Sequence, residues 1–147
     1  MDLATIKSFH NACLLAKRIA ELTAGLPANL PPHYLYTIDA IMSIKEEAGS
    51  VRTTDIAHVL SVSKQTAARY VNELQRDKLV IKTAVPNCRH SHIALSKKGE
   101  KYYSDHIVTL NKKLVHLFGS ISKTDMQICV STIQQAFYLL TSAFPGI

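Results

Sequence analysis

Apolar residues recur along this chain at two different spacings, and the changes between them predict its elements. A spacing of three to four residues predicts a first helix at about residues 3–23 and a second at about 33–47. Alternation at residues 79–85 and 90–95 predicts two strands, joined by a turn at residues 86–89. In the first strand, three apolar residues alternate with their neighbours Val80, Lys82 and Ala84: Leu79, Ile81 and Val85.

Helix-capping residues and chain breaks complete the predicted order. Side chains suited to cap a helix stand at the start of the later helices: Thr53 or Thr54, Ser63, Ser96 and Ser122. The fourth helix should end near residue 77 and the fifth near residue 118. Glycine and proline break the chain at Gly25-Leu26-Pro27, Pro31-Pro32 and Gly49. The order is four helices, a hairpin and two helices, so the fold class is mainly α with a small β-hairpin.

The third and fourth helices have the spacing of a helix-turn-helix. Only Ser61-Val62-Ser63 separates them. Ile56, Leu60 and Val62 can form the apolar seam between the two helices, and Ala57 is small enough for the crossing helix to approach closely. On the fourth helix the inward positions are Ala67, Tyr70 or Val71, and Leu74. The opposite, outward face then carries Gln65, Ala68, Arg69 and Asn72.

The net charge of the chain, +6, lies in one third of its length. Residues 51–101 contain ten basic and four acidic side chains, whereas the remainder contains seven of each and is neutral. This charged segment coincides with the helix-turn-helix pattern and the hairpin. A positive surplus confined to such elements indicates a nucleic-acid partner.

Two sets of residues are candidates for contact with double-stranded DNA. Side chains able to pair with base edges in the major groove are Gln65, Arg69 and Asn72, because Gln and Asn suit adenine and Arg suits guanine. Side chains placed to hold the backbone or the minor groove are Ser63, Lys64, Thr66, Lys82 and Arg89. The alternatives are a solvated helix face and an ordinary surface hairpin, neither with a partner.

In this order, these motifs resemble the winged-helix core of the MarR family of bacterial transcription regulators. The resemblance lies in residues 52–60 and 63–74, Asp77-Lys78-Leu79-Val80, the hairpin arginine and Leu95-Ser96-Lys97-Lys98-Gly99. It covers about fifty residues closely, and the flanking helices fit the family layout. The hairpin departs from the family pattern, because Asn87-Cys88-Arg89 replaces the common Asp-x-Arg.

The resemblance implies a single winged helix-turn-helix domain over residues 1–147 that forms a homodimer. Residues 1–32 and 97–147 would be dimerisation helices that intertwine, and residues 33–96 the DNA-binding lobe. Such proteins are mostly cytoplasmic repressors that bind a near-palindromic operator and are released by a small phenolic ligand, an oxidant or a metal. Two lobes on a two-fold axis also suit half-sites about one helical turn apart. Alternatively, the apolar terminal helices close a monomeric core.

Sensor chemistry has candidates on the first two helices. Cys13 lies one helical turn from His10, and some MarR relatives sense peroxides with a first-helix cysteine paired to second-helix tyrosines, here Tyr34 and Tyr36. A small-molecule pocket would use aromatic and polar side chains of the same helices: Phe9, His10, Tyr34, Tyr36, Thr37 and Met42. The alternative is plain packing, with Cys13 and Cys129 as buried thiols and Cys88 exposed in the wing.

Several other classes are not expected. Three cysteines without C-x-x-C spacing indicate reduced thiols rather than a disulfide framework, and the seven histidines show no metal-ligand spacing. No signal peptide is expected, and polar residues interrupt the uncharged stretch 126–147, which predicts a buried helix rather than a membrane span. No catalytic constellation or cofactor motif is present. The remaining rival is a winged-helix adaptor that binds proteins instead of DNA.

Overall fold

The computed structural model describes residues 1–25 and 30–146. Within them, the helices are α1 (Leu3–Gly25), α2 (Pro32–Ala48), α3 (Thr53–Leu60), α4 (Lys64–Arg76), α5 (Lys97–Tyr102), α6 (Thr109–Leu117) and α7 (Lys123–Ala143). The strands β1 (Val80–Ala84) and β2 (Ser91–Leu95) form one antiparallel hairpin. This confirms the predicted order, with one addition: a π-helical segment, Tyr103–Val108, connects α5 to α6. The predicted break at Leu26-Pro27 lies outside the described residues.

A single apolar core joins α2, α3, α4 and the hairpin, and we call this part the winged lobe. Its side chains with no exposed surface include Ile38 and Ile41 of α2, Ile56 of α3, and Val71 and Leu74 of α4. The predicted seam between the two helices of the helix-turn-helix is therefore confirmed. Of the two alternatives on α4, it is Val71 rather than Tyr70 that faces inward.

The turn between α3 and α4 depends on one residue in the left-handed region. Ser61 has φ 54°, and the following Val62 N–H donates to the Ala57 carbonyl at 3.0 Å. The Ser63 hydroxyl then caps α4 as predicted, accepting from the Thr66 N–H at 3.0 Å. The prediction that Thr53 or Thr54 caps α3 was wrong. The cap is Arg52, whose N–H donates to the Asp55 carboxylate at 2.9 Å, so the helix begins one residue earlier.

The hairpin turns a different face to the core than the alternation predicted. Val80 and Ile93 are each 3% exposed, whereas Ile81 is 52% exposed. The prediction failed because β1 begins only at Val80, and Leu79 before it is buried outside the strand. The Ile93 N–H donates to the Val51 carbonyl at 2.9 Å, which fixes the hairpin to the segment that precedes α3.

Gly99 explains why the start of α5 has its particular sequence. A Cβ at this position would lie 2.0 Å from the Leu79 carbonyl oxygen, so only glycine allows this approach. The Ser96 hydroxyl accepts from the Gly99 N–H at 3.0 Å and donates to the Lys78 carbonyl at 2.6 Å. The serine and glycine of the motif therefore hold the end of α4 and the start of β1 against α5.

The terminal helices bury little of their apolar surface within one chain. The chain divides into two compact units, Met1–Leu110 and Asn111–Ile147, and α7 in the second unit has no buried residue. The expectation of a buried helix over residues 126–147 is wrong for the single chain, because none of its residues in α7 is buried. The expectation of a core position for Cys129 is wrong as well, because this thiol is exposed. Cys13 on α1 is also exposed. None of the described helices is long and apolar enough to cross a membrane.

Candidate nucleic-acid interface

The outward face of α4 is polar and open to solvent. Gln65, Arg69 and Asn72 are exposed, as predicted, because the apolar positions of the helix turn its opposite side to the core. A shallow concavity of about 500 Å³ follows this face and extends to Glu73 and Arg76. Arg76 was missed in the sequence, although its position one turn after Asn72 was the available signal.

A basic cleft lies between the first turns of α3 and α4 and the hairpin. Its volume is about 210 Å³, and its lining residues are Arg52, Thr53, Thr54, Lys64, Lys82, Arg89, His90, Ser91 and Ile93. No acidic side chain is among them, and the positive end of the α3 dipole adds to the same field. This arrangement suits a phosphate group. Five of the polar lining residues were not predicted: Arg52, Thr53, Thr54, His90 and Ser91.

The predicted backbone-contacting residues are not equivalent in the structure. The Ser63 hydroxyl donates to the Thr66 hydroxyl at 2.8 Å and accepts from the Thr66 N–H, so both hydroxyls serve the helix cap. Lys64, Lys82 and Arg89 instead line the basic cleft. The predicted set is thus divided between a structural pair and a cationic group.

One hydrogen bond connects the α4 face to the basic cleft. The Lys82 ammonium on β1 donates to the Asn72 side-chain oxygen at 2.5 Å. The sequence predicted a base-reading role for Asn72 and a backbone role for Lys82, and gave no indication that they meet. The contact makes the helix and the hairpin one continuous polar surface.

The back of α4 is held by the first turn of α2. The His33 ring stacks on Tyr70 with centroids 4.3 Å apart, and His33 Nε2 lies 2.5 Å from the Glu73 carboxylate. The Arg69 guanidinium in turn lies 5.2 Å from the centroid of the Tyr70 ring. These contacts fix the direction in which α4 presents its polar face.

Tyr34 adds a second connection between α2 and the end of α4. Its hydroxyl donates to the Asp77 carboxylate, and this hydrogen bond is the main cause that lowers the pKa of Asp77. Burial, more than the carboxylate, raises the pKa of the Tyr34 hydroxyl. The ring itself is 1% exposed. Tyr34 is therefore part of the core of the winged lobe.

The remaining sensor candidates lie in different surroundings. The Tyr36 hydroxyl donates to the Ala20 carbonyl of α1 at 2.7 Å, so of the two tyrosines it is Tyr36 that contacts α1. Thr37 is fully buried and donates to the His33 carbonyl at 2.7 Å. Other candidates are more open, since Phe9 and Met42 are half-buried and His10 is exposed.

No family model matches the sequence, and no curated protein matches it. Solved structures do resemble it. A MarR/EmrR family transcriptional regulator from Acinetobacter sp. ADP1 has a TM-score of 0.75 at 12% identity, covering 97% of this chain and 99% of that one. S. aureus MepR, in a complex with DNA, has a TM-score of 0.72 at 13% identity, covering 89% and 96%.

A third similar structure is Bordetella bronchiseptica BpsR, whose DNA binding is regulated by 6-hydroxynicotinic acid. Its TM-score is 0.61 at 14% identity, and the match covers 86% of this chain and 98% of that one. Identities this low carry information about the fold alone. The chain has the winged-helix fold of the MarR family regulators, which confirms the fold expected from the sequence.

Proposed function

We propose that this chain is a sequence-specific regulator of transcription that binds double-stranded DNA. The observation that carries the proposal is the continuous surface formed by the α4 face and the basic cleft, connected by Lys82 and Asn72. A helix of this kind fits the major groove while flanking cations hold the phosphates. MepR, a structure of similar fold, was solved in a complex with DNA, and this supports DNA as the partner.

Each part of the surface has a proposed role. Gln65, Arg69 and Asn72 contact base edges from the exposed side of α4. The cations of the basic cleft hold the backbone on either side of the groove, and among them Arg89 lies in the connection between β1 and β2. Ser63 and Thr66 support binding through the helix N-terminus that they cap, because its free N–H groups favour a phosphate.

We propose that the active form is a homodimer. One winged lobe reads only a few base pairs, so a two-fold pair reading a near-palindrome gives higher specificity. Supporting this, α7 exposes large apolar side chains such as Phe137 and Leu139, and Leu114, Phe118 and Val130 line a groove of about 760 Å³ in the unit 111–147. Surface of this kind on a single chain favours burial by a second copy.

We propose that binding represses transcription and that a small aromatic acid or an oxidant releases it. The candidates for the effector site are Phe9, His10 and Cys13 of α1 and Tyr36 of α2, whose hydroxyl donates to the Ala20 carbonyl of α1. Tyr34, the fifth candidate, would transmit a shift of α2 to α4, because its hydroxyl donates to Asp77 at the end of α4. The regulation of BpsR by 6-hydroxynicotinic acid supports an aromatic acid as the first ligand to test.

The proposal is tested by duplex binding of single variants over a range of salt concentrations. Arg69→Ala should weaken binding to the preferred site by about tenfold and relax base preference. Arg89→Ala should weaken binding to all duplexes, and the slope of log affinity against log salt should fall by about one. Fluorescence anisotropy with a selected site and a scrambled site measures both effects.

Lys113→Ala is the matched control, because it removes one exposed positive charge from α6, and Lys113 lines neither the α4 concavity nor the basic cleft. It should leave the preferred affinity within about twofold. If Arg69→Ala and Arg89→Ala behaved like this control, the surface would be assigned wrongly. If the wild-type protein showed no salt-dependent duplex binding, the alternative of a winged-helix adaptor that binds proteins instead of DNA would be favoured.

A further inference from the structure

The contact between Lys82 and Asn72 limits what Asn72 can recognise. The two residues are ten positions apart, on β1 and α4, and the ammonium nitrogen lies 2.5 Å from the side-chain oxygen Oδ1. Asn72 is exposed and lies on the face that lines the α4 concavity. The partner of its side-chain oxygen is therefore known before any DNA is present.

The chemistry of the pair fixes the orientation of the amide. An ammonium group has three donors and no acceptor, so it can bind only the oxygen of the Asn72 amide and not its NH2 group. The usual ambiguity between the oxygen and the nitrogen of an asparagine does not arise here. The NH2 group is left as the free polar end of Asn72.

This orientation disfavours adenine. Bidentate pairing with adenine requires the amide oxygen to accept from the N6 amino group while the NH2 group donates to N7. A cation on the oxygen weakens it as an acceptor and repels the amino group of the base. The same cation polarises the amide and strengthens its N–H donors. Bases that present acceptors, guanine through N7 and O6 and thymine through O4, are then the better partners.

We infer that Lys82 is a positioning residue that sets the base preference of Asn72 to guanine or thymine instead of adenine. The inference rests on the proposed function and revises the adenine pairing expected from the sequence for this one residue. Gln65 on the same face has no side-chain hydrogen bond within residues 1–25 and 30–146. The oxygen and the NH2 group of the Gln65 amide therefore both remain available to pair with adenine. The base selected at the Gln65 position serves as an internal reference.

The test is selection of bound sequences from random duplex DNA by the full chain and by two variants of Lys82. Lys82→Met keeps the length of the side chain and removes the donor, so the base at the Asn72 position should shift toward adenine by about tenfold relative to guanine and thymine. Lys82→Arg keeps a donor and should retain the wild-type preference. The base at the Gln65 position should not change in either variant.

Three further proteins separate positioning from loss of charge: Lys64→Met, Asn72→Ala and the double variant Asn72→Ala/Lys82→Met. Lys64→Met removes a cation from the same cleft, so it should weaken binding to every duplex alike. Within the described residues Lys64 has no hydrogen bond to Asn72, so the ranking of bases at the Asn72 position should stay that of the wild type. In an Asn72→Ala background, Lys82→Met should no longer change the preference at that position. Both results are required if Lys82 acts through Asn72.

The outcomes separate this inference from the proposed function. If the wild type selects a site but already prefers adenine at this position, or if Lys82→Met selects the same base as the wild type, the inference is overturned and the function stands. If the wild type retains no common sequence at all, the proposed DNA binding is wrong, and the inference falls with it.

Discussion

The winged lobe and the terminal helices use similar apolar residues with opposite results. In the lobe, Ile38 and Ile41 of α2 are completely buried within one chain. On α7, Phe137 and Leu139 have the same hydrophobic character but are 53% and 58% exposed. The difference shows that an apolar helical stripe reveals which face favours burial, and does not reveal whether the same chain supplies the covering surface.

Charge divides the chain along a different boundary. The positive surplus lies in residues 51–101, which contain α3, α4, the hairpin and α5, and the remaining residues, including α2, are neutral as a whole. Electrostatic attraction to phosphate would therefore come from residues 51–101, and apolar association from α7. If this division holds, changes in one region should affect DNA contact and lobe stability, whereas changes in the other should affect assembly.

The largest expected effect comes from placing a charge on α7. Val130 lines the apolar groove of the second unit and is 48% exposed in the single chain. Val130→Glu should raise the dissociation constant of the dimer by about 1000-fold, roughly 4 kcal/mol, because the carboxylate would lose its hydration without a partner. Sedimentation equilibrium measures this, and the wild type should have twice the 16.3 kDa mass of one chain.

Gln135→Glu is the matched control, since it adds the same charge to the same helix outside the groove residues. It should leave the dimer intact. The lobe of Val130→Glu should still unfold cooperatively, because its core is closed within one chain. Two results would contradict the division between a self-contained winged lobe and an α7 that mediates assembly. These are a Val130→Glu protein that is still dimeric, or a lobe that no longer folds when the proposed dimer is lost.

Gly99→Ala should have the next largest effect, and on the lobe instead of assembly. The added Cβ would lie 2.0 Å from the Leu79 carbonyl oxygen, so the start of α5 must move away from β1. We expect a loss of about 3 kcal/mol in the free energy of unfolding of the lobe. Urea denaturation, monitored by circular dichroism, gives this value.

Gly49→Ala separates steric contact from backbone conformation. Gly49 has φ 78° and no atom within 4 Å of an added Cβ, so alanine would cost only the left-handed strain, about 1 kcal/mol. The loss in Gly99→Ala should clearly exceed that in Gly49→Ala. Equal losses would mean that the approach of α5 to Leu79 is not tight in solution.

The fold could be predicted from the sequence where local periodicity determines which residues are buried. The exposure of Gln65 and Arg69 and the burial of Ala67 and Leu74 follow from the helical repeat alone, and these predictions were confirmed, whereas the repeat left Tyr70 and Val71 as alternatives. The alternation at residues 79–85 identified a strand but not its buried face, because Val80 packs on the core whereas Ile81 is 52% exposed. The π-helical segment Tyr103–Val108 has no periodic signal that would distinguish it from a continuous helix.

The candidate site was predictable only where it lies on one element. The α4 face could be derived from spacing, whereas Arg52 and His90 join Lys64 in the cleft through the packing of separate elements. The hydrogen bond between Lys82 and Asn72 depends on the register of the hairpin against α4 and had no signal in the sequence. Long-range convergence of polar side chains is therefore the part that required the structure.

The smallest expected effect tests how α2 holds α4 within the lobe. The Tyr34 hydrogen bond lowers the pKa of Asp77, so the native carboxylate remains charged at a lower pH than the unfolded one. Its contribution to stability is present above the ordinary aspartate pKa of about 3.9 and is lost as the pH falls through the lower native value. Tyr34→Phe should lower Tm by a few degrees at pH 7, and this difference from the wild-type Tm should become smaller at acid pH.

Tyr36→Phe is the control, because it removes a hydroxyl that donates to the Ala20 carbonyl instead of a carboxylate, so its effect on Tm should not vary over this range. Thermal unfolding of both variants from pH 7 to pH 3 checks this, and a constant Tm difference for Tyr34→Phe would show that the carboxylate of Asp77 does not help to hold the end of α4.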